Sequence, residues 1–243
     1  TIYSLHRVES HYLDTPEVLC QYLSRFHFPE NGHIKLSPVV ENFEQLEVCL
    51  QWQQENPAVR SLLPRSATGI WNWVRLWLKG RQKINFFRLD QGSASDQPTL
   101  YEWMATPFQT QQFAAVLGLP VFHSRTPLEQ QSYFAKDQTP VFAIDLRESE
   151  FAEALRILSD LGLKAAAVTS PLKTAAYQFS SLKSQTAKDL QSANTLLLDR
   201  ENIWHCHNTD LEGFAAALAQ ITGETTSVAV WGGGGTLPVI RKV

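Results

Sequence analysis

From residue 1 to about residue 103 the chain alternates between short apolar runs and longer stretches in which apolar residues recur every three or four positions. That pattern predicts parallel strands joined by helical crossovers. Strands are expected at Ile2–Leu5, His33–Leu36, Ala58–Leu63 and Ile84–Leu89. A helix follows each. Asp14-Thr15-Pro16-Glu17 supplies a cap and a first-turn proline before Val18, Leu19, Tyr22, Leu23 and Phe26; the later helices carry Phe43, Leu46 and Leu50, then Trp71 to Leu78, then Leu100 to Met104. Four such units make half of a (β/α)8 barrel.

A polar stretch with a proline breaks the pattern between Thr106 and Gln112, where we place a domain boundary. The rhythm then restarts with strand Ala114–Leu117, a helix after Pro127, strand Val141–Asp145 and a helix Glu148–Leu161. That helix turns Phe151, Leu155, Leu158 and Leu161 inward and stops at Gly162. Strand Lys164–Val168, a short helix from Pro171, a strand pair Thr195–Leu198 and Ile203–His205, and a helix Leu211–Leu218 follow. Last comes a strand Ser227–Trp231 running into Gly232-Gly233-Gly234-Gly235, the expected start of a Rossmann domain. The chain thus divides into residues 1–105, 113–222 and 223–243, an α/β protein throughout.

Composition narrows the function classes. With 44% hydrophobic and 19% charged residues the chain has ample core material. A net charge of -3 with scattered Lys and Arg offers no footprint for nucleic acid or an anionic membrane. Small molecules are the expected partners. Cys20, Cys49 and Cys206 are too few and too dispersed for a disulfide framework, so a cytoplasmic setting is expected. The longest apolar stretch, Phe113 to Phe122, falls short of the ~20 residues of a membrane helix. With neither Met nor a charged leader at Thr1, the chain is expected to begin in mid-fold.

Two groups of residues carry candidate chemistry. Lys35 lies inside an apolar strand between Ile34 and Leu36, and His6 ends the preceding strand. A desolvated lysine amine becomes nucleophilic toward a ketone, although a strand-end lysine that reaches solvent fits the same pattern. His6 also reads as a solvated loop residue, and His11 is a rival nearer Thr15-Pro16. The run resembles type I 3-dehydroquinate dehydratase: Ser4-Leu5-His6 is similar to its histidine motif and Ile34-Lys35-Leu36 to its Schiff-base lysine motif. The resemblance continues through Gly69–Leu76 and Phe86-Phe87-Arg88 to Ser93-Ala94-Ser95-Asp96-Gln97. It implies that Lys35 forms an imine with 3-dehydroquinate, that His6 moves protons, that Arg75 holds the substrate carboxylate, and that Ser93 and Gln97 belong to a closing loop. Ser95-Asp96 stands where that family usually has Pro-Gly. The resemblance also implies that the other half-barrel precedes Thr1, so that residues 1–105 alone are incomplete for catalysis.

The second group begins with Gly118 to Pro127, a strand followed by a hydroxyl-bearing turn that either caps a helix or holds a carboxylate. Val168-Thr169-Ser170-Pro171-Leu172-Lys173, Asn194-Thr195 and Asn208-Thr209-Asp210 add a lysine, an aspartate and paired amides. From about Leu117 onward these motifs resemble shikimate dehydrogenase. The resemblance implies that Ser124, Thr126, Thr169 and Asn194 bind substrate, that Lys173 and Asp210 form the catalytic pair, and that Gly232, Gly233, Gly234, Gly235 and Thr236 hold NADP. Ala167 replaces an asparagine of that family, and Thr126 replaces a serine, as in quinate-using relatives. Trp204-His205-Cys206-His207 lacks a ligand set, so no metal is expected. Trp71, Trp73 and Trp77 read as packing.

Together the two resemblances imply a bifunctional shikimate-pathway enzyme acting on 3-dehydroquinate, 3-dehydroshikimate and shikimate. Two other readings compete: a quinate/shikimate dehydrogenase with a degenerate barrel, and a catalytically silent scaffold.

Overall fold

A computed structural model describes residues 1–29, 32–108, 111–134, 138–222, 229, 231 and 236–242. The chain forms two compact units, Thr1–Gln111 with Gln131–Pro140 and Gln112–Gln130 with Val141–Val243. Among the described residues no helix is long and apolar enough to cross a membrane.

The first unit contains β1 (Ile2–Val8), α1 (Pro16–Leu23), β2 (His33–Pro38), α2 (Phe43–Glu55), β3 (Arg60–Leu62), α3 (Asn72–Trp77) and α4 (Leu100–Ala105). α1 starts where the Thr15-Pro16 signal predicts, since the Thr15 side chain accepts from Val18 N at 3.3 Å and Pro16 fills the first helical position. β1, β2 and β3 form a parallel sheet in sequential order. Leu36 and Leu62 from the strands, Leu19 from α1, Leu46 from α2 and Trp73 from α3 are all buried. Each such side chain contributes about 1.5–3 kcal/mol through burial. Trp71, Trp73 and Trp77 are packing residues, and Trp71 Nε1 donates to Val40 O at 2.8 Å.

The fourth expected strand does not form. Residues 84–87 have no ladder, and only an isolated bridge joins Arg88 to Thr99. The free edge of β3 is occupied instead by one side chain. Gln82 Oε1 accepts from Leu62 N at 2.8 Å while Gln82 Nε2 donates to Leu62 O at 3.1 Å, so an amide satisfies the backbone pair that a neighbouring strand would take. The expected four-strand half-barrel is therefore a three-stranded parallel sheet.

The second unit contains β4 (Phe113–Gly118), the part of α5 (Thr126–Phe134) up to Gln130, β5 (Val141–Asp145), α6 (Phe151–Asp160), β6 (Leu163–Val168), α7 (Lys173–Phe179), β7 (Leu182–Lys183), α8 (Gln185–Leu190), β8 (Thr195–Leu198), β9 (Trp204–His207), α9 (Asp210–Thr222) and α10 (Leu237–Lys242). Its six-stranded sheet has the order β5-β4-β6-β8-β9-β7. β4 pairs in parallel with β5 and β6, and the β8-β9 hairpin attaches antiparallel to β6. α6 buries Phe151, Leu155 and Leu158 as the spacing predicts, together with Ala154 and Ile157, whereas Leu161 is only half-buried. Gly162, at φ +108°, closes that helix in a conformation glycine adopts freely. The expected strand at Ser227–Trp231 lies almost wholly outside the described residues, and Ala229 and Trp231 have no regular structure.

Candidate active sites

In the second unit, β4 and β6 run parallel with Leu117 opposite Val168, so their C-terminal ends finish side by side. Gly118 sits at that junction. A Cβ there would lie 2.5 Å from Thr169 Cγ2 and 2.6 Å from Val121 Cγ1, closer than real contacts allow. The absence of a side chain lets the Leu119–Ser124 turn lie against Thr169. Two bonds pin the arrangement: Leu119 N donates to Ser170 O at 3.0 Å, and Val121 N donates to Asp145 Oδ1 at 2.6 Å. Asp145, at the end of β5, is a positioning residue that motif reading did not single out. Ser124 Oγ accepts from Thr126 N at 3.2 Å, a local hydroxyl turn that leads into α5.

Lys173 opens α7, and its carbonyl accepts from Ala193 N at 2.9 Å, which ties the helix to the segment before β8. Its Nζ donates to Asp210 Oδ2 at 2.6 Å, with side-chain exposures of 15% and 27%. Asn194 Nδ2 donates to Asp210 Oδ1 at 2.8 Å and to Thr209 Oγ1 at 2.9 Å, while Asn194 Oδ1 accepts from Thr209 N at 3.0 Å. The β8-β9 register, with Thr195 opposite His207, brings the Asn194 and Asn208 segments together. Buried Asn208 then accepts from Asp210 N at 3.0 Å and donates to Ser192 O at 3.0 Å. The result is a partly exposed lysine whose carboxylate partner is fixed on both oxygens, an arrangement able to pass a proton to a ligand oxygen.

In the first unit, Lys35 is only 9% exposed and its Nζ lies 3.2 Å from His6 Nε2. Ser4 Oγ lies 2.7 Å from the same ring nitrogen, and the Phe86 ring centroid stands 5.0 Å from Nζ. Burial lowers the Lys35 pKa, with the nearby charges of Arg75 and Arg65 adding to the effect. His6 is lowered by burial first, then by Lys35 and Arg65. The rival His11 sits on an exposed turn with its Nδ1 3.3 Å from Glu9. Arg75 is buried, and its guanidinium donates to Pro64 O at 2.9 and 3.1 Å. Burial pulls its pKa down to about 10 against the opposing pull of Asp96.

The Ser93–Gln97 loop is bonded to itself, since Gln97 Oε1 accepts from Ser93 N at 2.8 Å and from Ala94 N at 3.3 Å. Asp96 is 0% exposed and accepts from Ser66 N at 2.6 Å, Ser66 Oγ at 2.8 Å and Trp71 N at 2.9 Å. The residue that departs from the dehydratase pattern therefore fastens this loop to the 66–71 turn. Gly69 permits the contact, with φ +88° and a hypothetical Cβ only 2.9 Å from Ser95 O.

Gly232, Gly233, Gly234 and Gly235 lie outside the described residues, while Thr236 precedes α10. Among the described residues no three of His, Cys, Asp or Glu converge as metal ligands. His205 Nε2 lies 2.8 Å from Asp199 Oδ2.

Residues 116–196 match a family model described as the shikimate dehydrogenase substrate binding domain. A shikimate dehydrogenase (NADP(+)) of Prochlorococcus marinus (strain MIT 9301) is 33% identical over 132 residues, which cover 53% of this chain and 46% of that one. The enzyme of the same name from Syntrophobacter fumaroxidans is 32% identical over 133 residues, covering 54% and 46%. The crystal structure of a Mycobacterium fortuitum shikimate 5-dehydrogenase overlaps 53% of this chain and 48% of its own at 32% identity, with a TM-score of 0.46. The chain spans about half the length of the curated relatives it matches. These matches support the dehydrogenase resemblance alone and give no support to the dehydratase one. Residues 116–196 are thus similar to the substrate-binding domain of shikimate dehydrogenases.

Proposed function

We propose that the protein interconverts 3-dehydroshikimate and shikimate with NADP, as a cytoplasmic enzyme of the shikimate pathway. In this reading residues 113–222 form the substrate domain and residues 223–243 the start of the NADP-binding domain. The observation that carries it is the 2.6 Å Lys173–Asp210 bond, with Asn194 on the other carboxylate oxygen. NADP, when bound, supplies or accepts the hydride. A lysine–aspartate pair suits that partner, because reduction of a ketone also needs a proton at its oxygen. Lys173 delivers this proton and Asp210 orients the ammonium. Ser124, Thr126, Thr169 and Asn194 hold the carboxylate and ring hydroxyls.

The test is Lys173→Met in the full-length protein. General acid–base loss lowers kcat about 10²- to 10⁴-fold with KM little changed. A kcat within threefold of the parent would remove Lys173 from the chemistry. Turnover of quinate at least as fast as shikimate would move the assignment to a quinate/shikimate dehydrogenase.

A separate observation supports a second activity in residues 1–105, dehydration of 3-dehydroquinate as part of a type I barrel. Lys35 is buried, has a lowered pKa and lies 3.2 Å from His6. The neutral amine attacks the ketone carbon, water leaves, and the resulting imine acidifies the neighbouring C–H. His6 takes that proton and returns it to the departing hydroxyl, and hydrolysis of the imine restores Lys35. Arg75, Ser93 and Gln97 serve the substrate side. Borohydride reduction with 3-dehydroquinate present adds a covalent mass at Lys35; absence of that adduct at saturating ligand favours a silent scaffold.

A further inference from the structure

We propose that Arg65 is a substrate-binding residue of the first unit, forming with Arg75 an anion subsite for the carboxylate of a keto acid whose ketone meets Lys35. The ketone half of this statement rests on the imine reading above; the carboxylate half does not.

Strand register puts Arg65 on the face of Lys35. Lys35 stands opposite Ser61 and Leu36 opposite Leu62, and the same offset continues to the bridge between Val39 and Arg65. Because strand side chains alternate, Ser61 and Arg65 project from the face that carries Lys35. β1 continues that face, with Ser4 opposite Lys35 and His6 opposite Ser37. The backbone of Arg65 is fixed, since its N donates to Pro38 O at 2.9 Å and its O accepts from Val40 N at 2.9 Å. Four residues along at ~3.3 Å and one strand across at ~4.8 Å separate the Lys35 and Arg65 Cα atoms by about 14 Å. A span of that size accommodates a small ligand between the ends of two long, flexible side chains.

Charge points the same way. After burial and nearer charges, the positive charge of Arg65 also depresses the pKa of His6, Lys35 and Arg75, which puts it within electrostatic range of all three. Among the described residues none of Lys35, Arg65 and Arg75 has an ion pair with a carboxylate. Arg75 spends its Nε and Nη2 on the carbonyls of Leu63 and Pro64 and contributes mainly a fixed charge. The Arg65 guanidinium makes no such bond among the described residues, and its planar fork matches a carboxylate. Asp96 offsets the charge of Arg75 and, among the described residues, no carboxylate pairs with Arg65, so an anion beside Arg65 meets positive charge not yet compensated.

The test compares borohydride capture at Lys35 of 3-dehydroquinate and of cyclohexanone, which has the ketone but no carboxylate, in the full-length protein. Arg65→Gln is expected to raise the half-saturating concentration of the keto acid about tenfold or more while changing cyclohexanone capture far less. Arg65→Lys recovers part of the loss. Equal weakening of both ligands, or of neither, overturns the assignment. Absence of capture by either ligand in the parent protein would defeat the imine reading alone. The anion subsite is then decided by the His6 ring resonances on titration with cyclohexanecarboxylate. The assignment expects saturable shifts that weaken about tenfold in Arg65→Gln, and shifts that ignore Arg65, or none, overturn it.

Discussion

Asp96 is expected to matter more to the first unit than its loop position suggests, and Asp96→Ala measures how much. The carboxylate is 0% exposed and accepts three hydrogen bonds of 2.6, 2.8 and 2.9 Å, from Ser66 N, Ser66 Oγ and Trp71 N. At ~1.5 kcal/mol for each hydrogen bond to a charged group, removing all three sets a scale of about 4.5 kcal/mol. Ser66 is half-buried and its N–H regains water, whereas Trp71 N–H is left buried without an acceptor; the expected loss is therefore about 3 kcal/mol. The buried Arg75 guanidinium also loses the one neighbour that raises its pKa. Urea unfolding followed by tryptophan fluorescence reads this unit well, because Trp52, Trp71, Trp73, Trp77 and Trp103 all lie within it. Asp96→Asn keeps Oδ1 as acceptor and turns an amide donor toward Ser66 N–H, so its loss falls between parent and alanine. Unfolding of Asp96→Ala within ~0.5 kcal/mol of the parent, the range of an ordinary surface change, would refute the account.

Gln82→Ala should destabilise the first unit by about 2–4 kcal/mol, because Leu62 N and O are left without partners at the edge of β3; hydrogen exchange at the Leu62 amide should accelerate in step, and an unchanged rate would mean another group takes the edge. His33 and His6 have pKa values held below 6.5, in both cases chiefly by burial. The unfolded chain therefore binds protons that the folded one refuses, and stability rises with pH through this window and is lost as pH falls below about 6.5. Urea midpoints between pH 7.5 and 5 should show a shallower dependence in His33→Gln, and an identical slope would remove His33 as a contributor.

How much of this was legible in advance depends on how local the deciding interactions are. α1 could be placed because Thr15, Pro16 and the apolar stripe lie within ten residues and act on their own backbone. The same holds for α6 and its glycine stop. α8 carries a local signal too, since Ser184 accepts from Ala187 N at 3.2 Å as an ordinary cap, but β7, only two residues long, gives no pattern to announce it. The fourth strand failed for the opposite reason. Ile84 to Leu89 has the right composition, yet its place on β3 is taken by a side chain twenty positions from Leu62, a contact that no periodicity encodes.

The two lysines show where the boundary falls for chemistry. Their surroundings in sequence, an apolar strand for Lys35 and a hydroxyl turn for Lys173, are equally compatible with solvent exposure. What distinguishes them is reached through pairing: β1 against β2 sets Ser4 beside Lys35 and so brings His6 within 3.2 Å, and the β8-β9 hairpin carries Asn194 and Asp210 onto Lys173. Arg65 belongs to the same class, visible as a candidate only once the Val39–Arg65 bridge fixes which face it shares. In each case the residue type was written in the chain and its partner was supplied by strand register. Substitutions that slip register by one residue should therefore abolish these sites without touching any of the named side chains.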